Sequence, residues 1–95
     1  MKLDGKLALV TGGARGIGKA ISIQLAKAGA NVIVNYRSSA EAAEELIKEI
    51  KSMGREAYAF KADISSMEDV INLEKEISKE IGTLDILVNN AGITR

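Results

Sequence analysis

The segment Leu7–Gly18, LALVTGGARGIG, decides the fold, because it passes from an apolar run through a glycine-rich turn into a helical pattern. A strand in a parallel sheet is covered on both faces, so it shows a continuous apolar run, as Leu7–Val10 does. From Ile17 onward, apolar residues recur at the spacing of one helix face. The segment therefore predicts a strand, a turn and a helix in immediate succession.

Three further strands are predicted, and helical patterns separate them. The strands are Val32–Val34, Glu56–Lys61 and Ile86–Val88. The order β-α-β-α-β-α-β implies an α/β fold with a parallel sheet, right-handed crossovers and helices on both faces. We expect the spatial order 3-2-1-4, the beginning of a doubly wound sheet with its switch point between strands 1 and 4. No proline, linker or second-domain boundary interrupts residues 1–95.

Capping residues and glycines predict where the helices begin and end. Ser38 with Glu41, and Ser65 with Glu68, have the spacing of capping boxes. Each helical pattern is followed by a glycine that can end it in a left-handed conformation, namely Gly29, Gly54 and Gly82. The apolar face of the first helix consists of Ile17, Ile21, Leu25 and Ala28. That of the second consists of Ala43, Leu46, Ile47, Ile50 and Met53, and that of the third of Val70, Leu73, Ile77 and Ile81.

The composition excludes several classes of function. With 13 basic and 13 acidic residues, no net charge favours nucleic acid or an anionic membrane. The absence of cysteine excludes disulfides and thiolate metal sites, and the absence of histidine excludes histidine-dependent hydrolase triads. No apolar run approaches the ~20 residues that span a bilayer, and no signal peptide is recognisable. We therefore expect a cytoplasmic protein that begins at its own initiator methionine and holds no metal.

The glycine-rich turn has the chemistry of a phosphate-binding loop. Gly12 allows a tight turn, Gly16 lets a diphosphate approach the backbone, and Gly18 lets helix and strand pack closely. Free amides at the helix N-terminus then face the phosphate oxygens. A turn without a ligand is the alternative. The position between a buried strand and an amphipathic helix favours phosphate binding.

The end of the second strand discriminates between the two pyridine dinucleotides. A site that prefers NAD normally has an acid here, whereas this chain has Arg37, and its first acid is Glu41 in the next helix. Arg37 and Arg15 suit a 2′-phosphate, because guanidinium groups bind phosphate in a planar, bidentate manner. Hydrogen bonds to charged groups contribute about 1.5–3 kcal/mol, or roughly 10- to 150-fold preference for NADP. The alternative is that Arg37 is a solvated loop charge.

The ends of the third and fourth strands add candidate binding residues. Asp63 is predicted to accept from the adenine amino group while Ile64 lies against the ring; alternatively, Asp63 is a loop residue that precedes the Ser65 cap. The sequence NNAG at Asn89–Gly92 combines amides, which can join strand ends, with small residues that admit a ribose. Such a sequence also favours an ordinary turn.

Taken in this order, the glycine loop, Asp63 and Asn89–Gly92 resemble the short-chain dehydrogenase/reductase family over the whole chain. Residues 5–12 and 84–95 look most similar to the 3-oxoacyl-[acyl-carrier-protein] reductases of fatty-acid synthesis. The resemblance implies an NADP(H)-dependent carbonyl reductase with an acyl-carrier-protein-linked substrate. Residues 1–95 are then its Rossmann-type, NADP-binding half-domain. The implied cofactor-binding residues are Gly12, Gly13, Ala14, Arg15, Gly16, Ile17, Gly18, Arg37, Asp63, Ile64, Asn90, Ala91 and Gly92.

The resemblance also implies a catalytic tyrosine with a lysine four residues later, and this pair is missing here. Ala40 follows Tyr36 at that spacing, and Ala62 follows Tyr58. We therefore expect no catalytic residue and no turnover by this chain alone, which is either part of a longer reductase or a natural short product. The fourth strand would be an exposed apolar edge, which predicts self-association. A non-catalytic nucleotide-binding module and a self-associating scaffold remain the alternative functions.

Overall fold

Seven elements alternate along the part of the chain that the structure describes, residues 2–90 of a computed structural model. They are β1 (Leu7–Val10), α1 (Gly16–Lys27), β2 (Asn31–Tyr36), α2 (Ala40–Ser52), β3 (Ala57–Lys61), α3 (Met67–Glu80) and β4 (Ile86–Val88). The strands form one parallel sheet in the order β3-β2-β1-β4. The predicted α/β fold and strand order are confirmed.

The register of the sheet brings the ends of all four strands together. Leu9 of the central strand β1 lies opposite Ile33 of β2 on one side and Leu87 of β4 on the other. On the outer side of β2, Asn35 pairs with Phe60 of β3. Because the strands are parallel, the residues that follow them meet at one edge, which we call the carboxyl edge. Ligands of doubly wound sheets bind at this edge.

Both faces of the sheet are covered, which explains the continuous apolar runs of the central strands. Val32 and Val34 of β2 belong to a buried cluster with Leu46 and Ile50 of α2. Ile33, between them, points to the other face and belongs to a second cluster, whose helical members are Leu73 and Ile77 of α3. The predicted inward residues of α2 and α3 therefore belong to these two clusters, with the exception of Val70.

Helix α1 buries different residues from the ones that the helical spacing predicts. Its buried residues are Gly18, Ser22 and Ala26, all of them small, whereas Ile17 is 63% exposed. The predicted residues Ile17, Ile21, Leu25 and Ala28 do share a face, but that face lines an open apolar surface with Leu3. Small residues let α1 approach β1 closely, so the bulky apolar side chains lie to one side of the contact.

Both predicted capping boxes are wrong by one residue. The N-cap of α2 is Ser39, which makes no side-chain capping bond, and its Oγ accepts from Arg15 Nη1 at 3.3 Å. The N-cap of α3 is Ser66, whose Oγ accepts from the Asp69 amide at 3.3 Å, since Ser65 is bound to Asp63.

The predicted helix terminators are confirmed, because each adopts the left-handed backbone that favours glycine. The φ angles of Gly29, Gly54 and Gly82 are 110°, 85° and 144°. The helices that these glycines end are short. Within residues 2–90, none is both long and apolar enough to cross a membrane.

Candidate functional site

The base of the glycine loop is held by its neighbours in the sheet. Gly12 has a φ of 61°, which lets the chain turn directly after β1. The Gly12 amide donates to Asn35 Oδ1 at 3.1 Å, and the Gly13 amide donates to the Asn35 carbonyl oxygen at 3.0 Å. These amides are therefore used inside the protein, and the amides that can meet an anion lie further along the loop.

The start of α1 provides those amides. The first intrahelical hydrogen bond runs from the Lys19 amide to the Arg15 carbonyl oxygen at 3.1 Å, so the preceding amides have no acceptor within the helix. Gly16 has a φ of 55°, and a Cβ added to it would meet no atom within 4 Å. The first turn carries no acidic side chain. Open space, unused amides and the positive end of the helix dipole together fit a phosphate group.

Gly18 is required for close packing beneath the loop. A Cβ at this position would overlap the Gly12 carbonyl oxygen and would lie 2.7 Å from Asn90 Nδ2. The Asn90 side chain is buried and donates from Nδ2 to that same carbonyl oxygen at 3.1 Å. Gly18 therefore lets the start of α1 pack closely against the turn that follows β1, and its part in cofactor binding stays a prediction.

The ends of β1 and β4 are joined through Thr11. The Asn90 amide donates to Thr11 Oγ1 at 2.8 Å, and the Thr11 amide donates to the Val88 carbonyl oxygen at 3.0 Å. Thr11 Oγ1 also lies 3.3 Å from Asn89 Oδ1. The predicted role of the two asparagines in joining strand ends is confirmed. The other predicted residues of this segment, Ala91 and Gly92, lie outside the described residues.

The arginines lie on either side of the end of β2. Arg15 reaches from the glycine loop to Ser39, at the start of α2. Arg37 follows β2 directly, its side chain is 78% exposed, and its Nε lies 4.0 Å from Asp63 Oδ2. The structure thus brings Arg15, Arg37 and Asp63 to the same part of the carboxyl edge. Exposed guanidinium groups here are suited to an anionic ligand.

Asp63 is held in a local turn that favours the ionised form of its carboxyl. Its Oδ1 accepts from the Ser65 hydroxyl at 2.7 Å and from the Ser65 amide at 3.0 Å. These hydrogen bonds, together with the nearby Arg37 guanidinium, lower the pKa of the Asp63 carboxyl below its ordinary value. This turn agrees with the alternative given for Asp63 from the sequence, that of a loop residue before the helix cap. Contact with an adenine amino group stays a prediction.

Ile64 is one of the residues that line an apolar groove between α3 and β4. The groove has a volume of about 380 Å³, and its lining includes Thr11, Leu73, Leu87 and Asn89. Ile64 is half-buried against the cluster that contains Leu73. No contact of Ile64 in the structure tests its predicted packing against an adenine ring, which stays a prediction.

Asn35 is a site residue that the sequence motifs do not single out. Its side chain is 2% exposed and donates from Nδ2 to the carbonyl oxygens of Ala62, at 3.2 Å, and Phe60, at 3.4 Å. The available signal was its place in the buried strand NVIVNY, since a buried amide needs hydrogen-bond partners. Its partners belong to both neighbouring strands, and no local pattern identifies them.

The hydrogen-bond donors at the carboxyl edge suit an anion. Within residues 2–90, no group of three potential metal ligands comes together. Main-chain amides and guanidinium groups are donors, and they bind the oxygens of phosphate.

Comparisons with known proteins connect this site to a family. A family model described as short chain dehydrogenase matches residues 6–95. The 3-oxoacyl-[acyl-carrier-protein] reductase FabG of Staphylococcus aureus is 50% identical over 90 residues, which are 95% of this chain and 37% of that protein. A short-chain dehydrogenase/reductase of Pestalotiopsis microspora is 51% identical over 92 residues, which are 97% of this chain and 35% of the relative.

Solved structures have the same arrangement of strands and helices. A short chain dehydrogenase from Burkholderia cenocepacia in complex with NADP aligns with a TM-score of 0.93 at 48% identity, covering 100% of this chain and 39% of that one. A blue fluorescent protein from a metagenomic library, in complex with NADPH, aligns with a TM-score of 0.92 at 40% identity and the same coverage. The chain spans 35–39% of the length of these relatives.

Proposed function

The chain belongs to the short-chain dehydrogenase family, a family of oxidoreductases, and on that premise we propose that it is the NADP(H)-binding portion of a carbonyl reductase. The observation that carries the proposal is the hydrogen bond between Arg15 Nη1 and Ser39 Oγ at 3.3 Å. It holds a second guanidinium beside the end of β2, where Arg37 already lies. A pair of cations at this position favours the 2′-phosphate that distinguishes NADP from NAD.

We assign residues of the chain to the pyrophosphate, the 2′-phosphate, the adenine and one ribose of the cofactor. The glycine loop, Gly12 to Gly18 with Ala14 and Ile17 between them, would bind the pyrophosphate through the amides at the start of α1. Arg15 and Arg37 would bind the 2′-phosphate, while Asp63 and Ile64 would bind the adenine. Asn90, with Ala91 and Gly92, would border a ribose. When bound, the nicotinamide of NADPH supplies the hydride for reduction of a carbonyl.

We further propose that the whole protein acts on an acyl-carrier-protein-linked 3-oxoacyl substrate in the cytoplasm. The support is the 50% identity to the Staphylococcus aureus reductase, whose name gives that substrate. Residues 1–95 contain no tyrosine with a lysine four residues later. The chain by itself should therefore bind cofactor without reducing an acyl ketone.

Calorimetric titration of the purified chain with NADPH and NADH tests the cofactor proposal. We expect NADPH to bind roughly 10- to 150-fold more tightly than NADH, because only NADPH has the extra phosphate for the guanidinium groups. Equal affinities would contradict the assignment of NADP, and binding of neither nucleotide would contradict the proposed function. Steady oxidation of NADPH in the presence of an acyl ketone would contradict the expected lack of turnover.

A self-associating scaffold is a second candidate function, and one observation favours it. Leu87 is 60% exposed on β4, an edge strand of the described sheet. A scaffold of this kind would associate equally well with and without nucleotide, whereas a cofactor-binding half-domain should bind NADPH whatever its association state.

A further inference from the structure

The side chain of Asn35 connects two parts of the candidate site, the glycine loop and the end of β3. Its Oδ1 accepts from the Gly12 amide at 3.1 Å, at the base of the glycine loop. Its Nδ2 donates to the carbonyl oxygen of Ala62 at 3.2 Å, directly before Asp63. A single rigid amide therefore bridges the end of β1 and the end of β3, on opposite sides of the strand to which it belongs.

The bridge requires an asparagine, because it uses a donor and an acceptor at once. The side chain is 2% exposed, so water cannot replace either partner easily. A carboxylate would keep the acceptor for Gly12 but would turn an oxygen toward the carbonyl oxygens of Ala62 and Phe60. An aliphatic residue would leave the partners on both sides without a hydrogen bond.

The main chain of Asn35 strengthens the same connection. The Asn35 carbonyl oxygen accepts from the Gly13 amide at 3.0 Å, and the next carbonyl oxygen, of Tyr36, accepts from the Ala62 amide at 3.0 Å. The loop and the end of β3 are thus attached to one two-residue segment of β2. Rotation of the Asn35 side chain would break its bonds to Gly12 and Ala62 and would leave only these main-chain bonds to hold the spacing.

We propose that Asn35 is a positioning residue for the dinucleotide, which sets the spacing between the pyrophosphate loop and the adenosine-binding end of β3. The inference rests on the proposed function. A dinucleotide that spans both parts needs them at a fixed spacing, whereas a fragment that occupies one part does not. Loss of Asn35 should therefore weaken binding of the whole cofactor and leave binding of the fragment nearly unchanged.

Titration of NADPH and of adenosine, which lacks the 2′-phosphate and the pyrophosphate and therefore contacts only the end of β3, tests this inference. In Asn35→Ala the dissociation constant for NADPH should rise about tenfold, and that for the fragment less than about twofold. Asn35→Asp, which keeps the acceptor for Gly12, should show the same pattern. Ile50→Val, on the buried face of α2, is the control for lost stability and should change neither constant.

The outcomes separate the inference from the proposed function. If the unmodified chain does not bind NADPH, the proposed function fails and this inference fails with it. If the unmodified chain binds NADPH, but Asn35→Ala weakens both ligands equally or neither, only the positioning role is overturned.

Hydrogen exchange on the unmodified chain decides the question if the Asn35 variants do not fold. The Gly12 amide and the Asn35 side-chain amide should be protected without ligand, and NADPH should slow their exchange further. Adenosine should not produce this second effect. Exchange of the Gly12 amide at the rate of an unprotected amide, or equal slowing by both ligands, would overturn the positioning role.

Discussion

Asn90 holds Gly12 in place, because its Nδ2 donates to the Gly12 carbonyl oxygen at 3.1 Å. The amide of the same glycine is held from the other side by Asn35 Oδ1. The base of the loop is thereby fixed by the strands on both sides of β1. A loop that is already ordered loses little conformational entropy on binding, which favours binding of an anion by its open part.

Alanine at position 18 should destabilise the protein and weaken binding of NADPH. A Cβ there overlaps the Gly12 carbonyl oxygen and approaches Asn90 Nδ2 to 2.7 Å, so the hydrogen bond between them has to break. Overpacking of this kind costs about 1–3 kcal/mol. Urea unfolding measures the free energy of unfolding, and fluorescence titration of NADPH measures its dissociation constant.

Gly16→Ala and Gly54→Ala are the matched comparison for Gly18→Ala. Both glycines have positive φ and open space around the added Cβ, so each variant has backbone strain of about 1–2 kcal/mol without overlap. Of these two glycines, only Gly16 lies in the proposed phosphate loop. Gly16→Ala should therefore lose NADPH affinity, and Gly54→Ala should not. Unchanged affinity in Gly16→Ala and Gly18→Ala would show that phosphate binds elsewhere.

Arg37→Asp should reduce or reverse the preference for NADPH over NADH. The substitution removes a guanidinium from the end of β2 and supplies a carboxylate that can accept from a ribose 2′-hydroxyl. It also places a second acid beside Asp63, which lies 4.0 Å from Arg37 Nε, and so opposes the 2′-phosphate further. The ratio of the two dissociation constants measures the effect.

Lys48→Asp controls for the change in net charge. Lys48 is exposed on α2, and it undergoes the same change of charge away from the end of β2. The ratio for NADPH and NADH should stay at its original value in this variant. If Arg37→Asp behaves in the same way as Lys48→Asp, then Arg37 is a solvated loop charge.

Local signals along the chain were enough to predict the fold. Each central strand shows a continuous apolar run, because the sheet is covered on both faces. Gly29, Gly54 and Gly82 all have the positive φ expected of helix terminators. With the strands and helices identified, the handedness of β-α-β crossovers leaves few strand orders, and the order 3-2-1-4 is confirmed.

Contacts between distant residues were not predicted, because no local pattern carries them. Asn35 bonds to Gly12 and to Ala62, which are 23 and 27 positions away in the sequence. At the start of α2, Ser39 binds Arg15 from 24 positions away and makes no capping bond. At the start of α3 the reason is local, because Ser65 is bound to Asp63 and Ser66 caps the helix. Helical periodicity also did not show that α1 turns its small residues toward the sheet.

The Asp63 carboxyl should titrate below an ordinary aspartate. Hydrogen bonds from the Ser65 hydroxyl and amide, with a smaller contribution from the Arg37 charge, lower its pKa in the folded chain. Their stabilising contribution is therefore present above the unfolded pKa of about 3.9 and is lost as the pH falls through the folded pKa. The NMR shift of the Asp63 carboxyl carbon, followed with pH, measures this pKa.

Ser65→Ala should raise the Asp63 pKa toward its ordinary value, because the hydroxyl makes the largest contribution. Ser52→Ala is the control, since Ser52 donates to the Glu49 carbonyl oxygen at the end of α2 and has no contact with this turn. An Asp63 pKa that does not change in Ser65→Ala would contradict the assignment of its cause.

The edge strand β4 should bring two copies of the chain together. Leu87 is 60% exposed on this strand and borders the apolar groove beside α3. An unpaired strand edge carries free N–H and C=O groups, and an apolar edge invites pairing with another chain. Sedimentation velocity over a range of concentrations should therefore detect a dimer. Leu87→Lys should shift the protein to monomer, since a charged edge residue opposes pairing.

Met67→Lys distinguishes an effect of the edge from a general effect of charge. Met67 is 74% exposed at the start of α3, so the substitution makes the same chemical change on a helix and not on a strand edge. Association should persist in this variant. If both lysine variants dissociate equally, the copies meet through exposed apolar side chains in general. If the unmodified chain is a monomer at every concentration, β4 does not pair and the scaffold function loses its support.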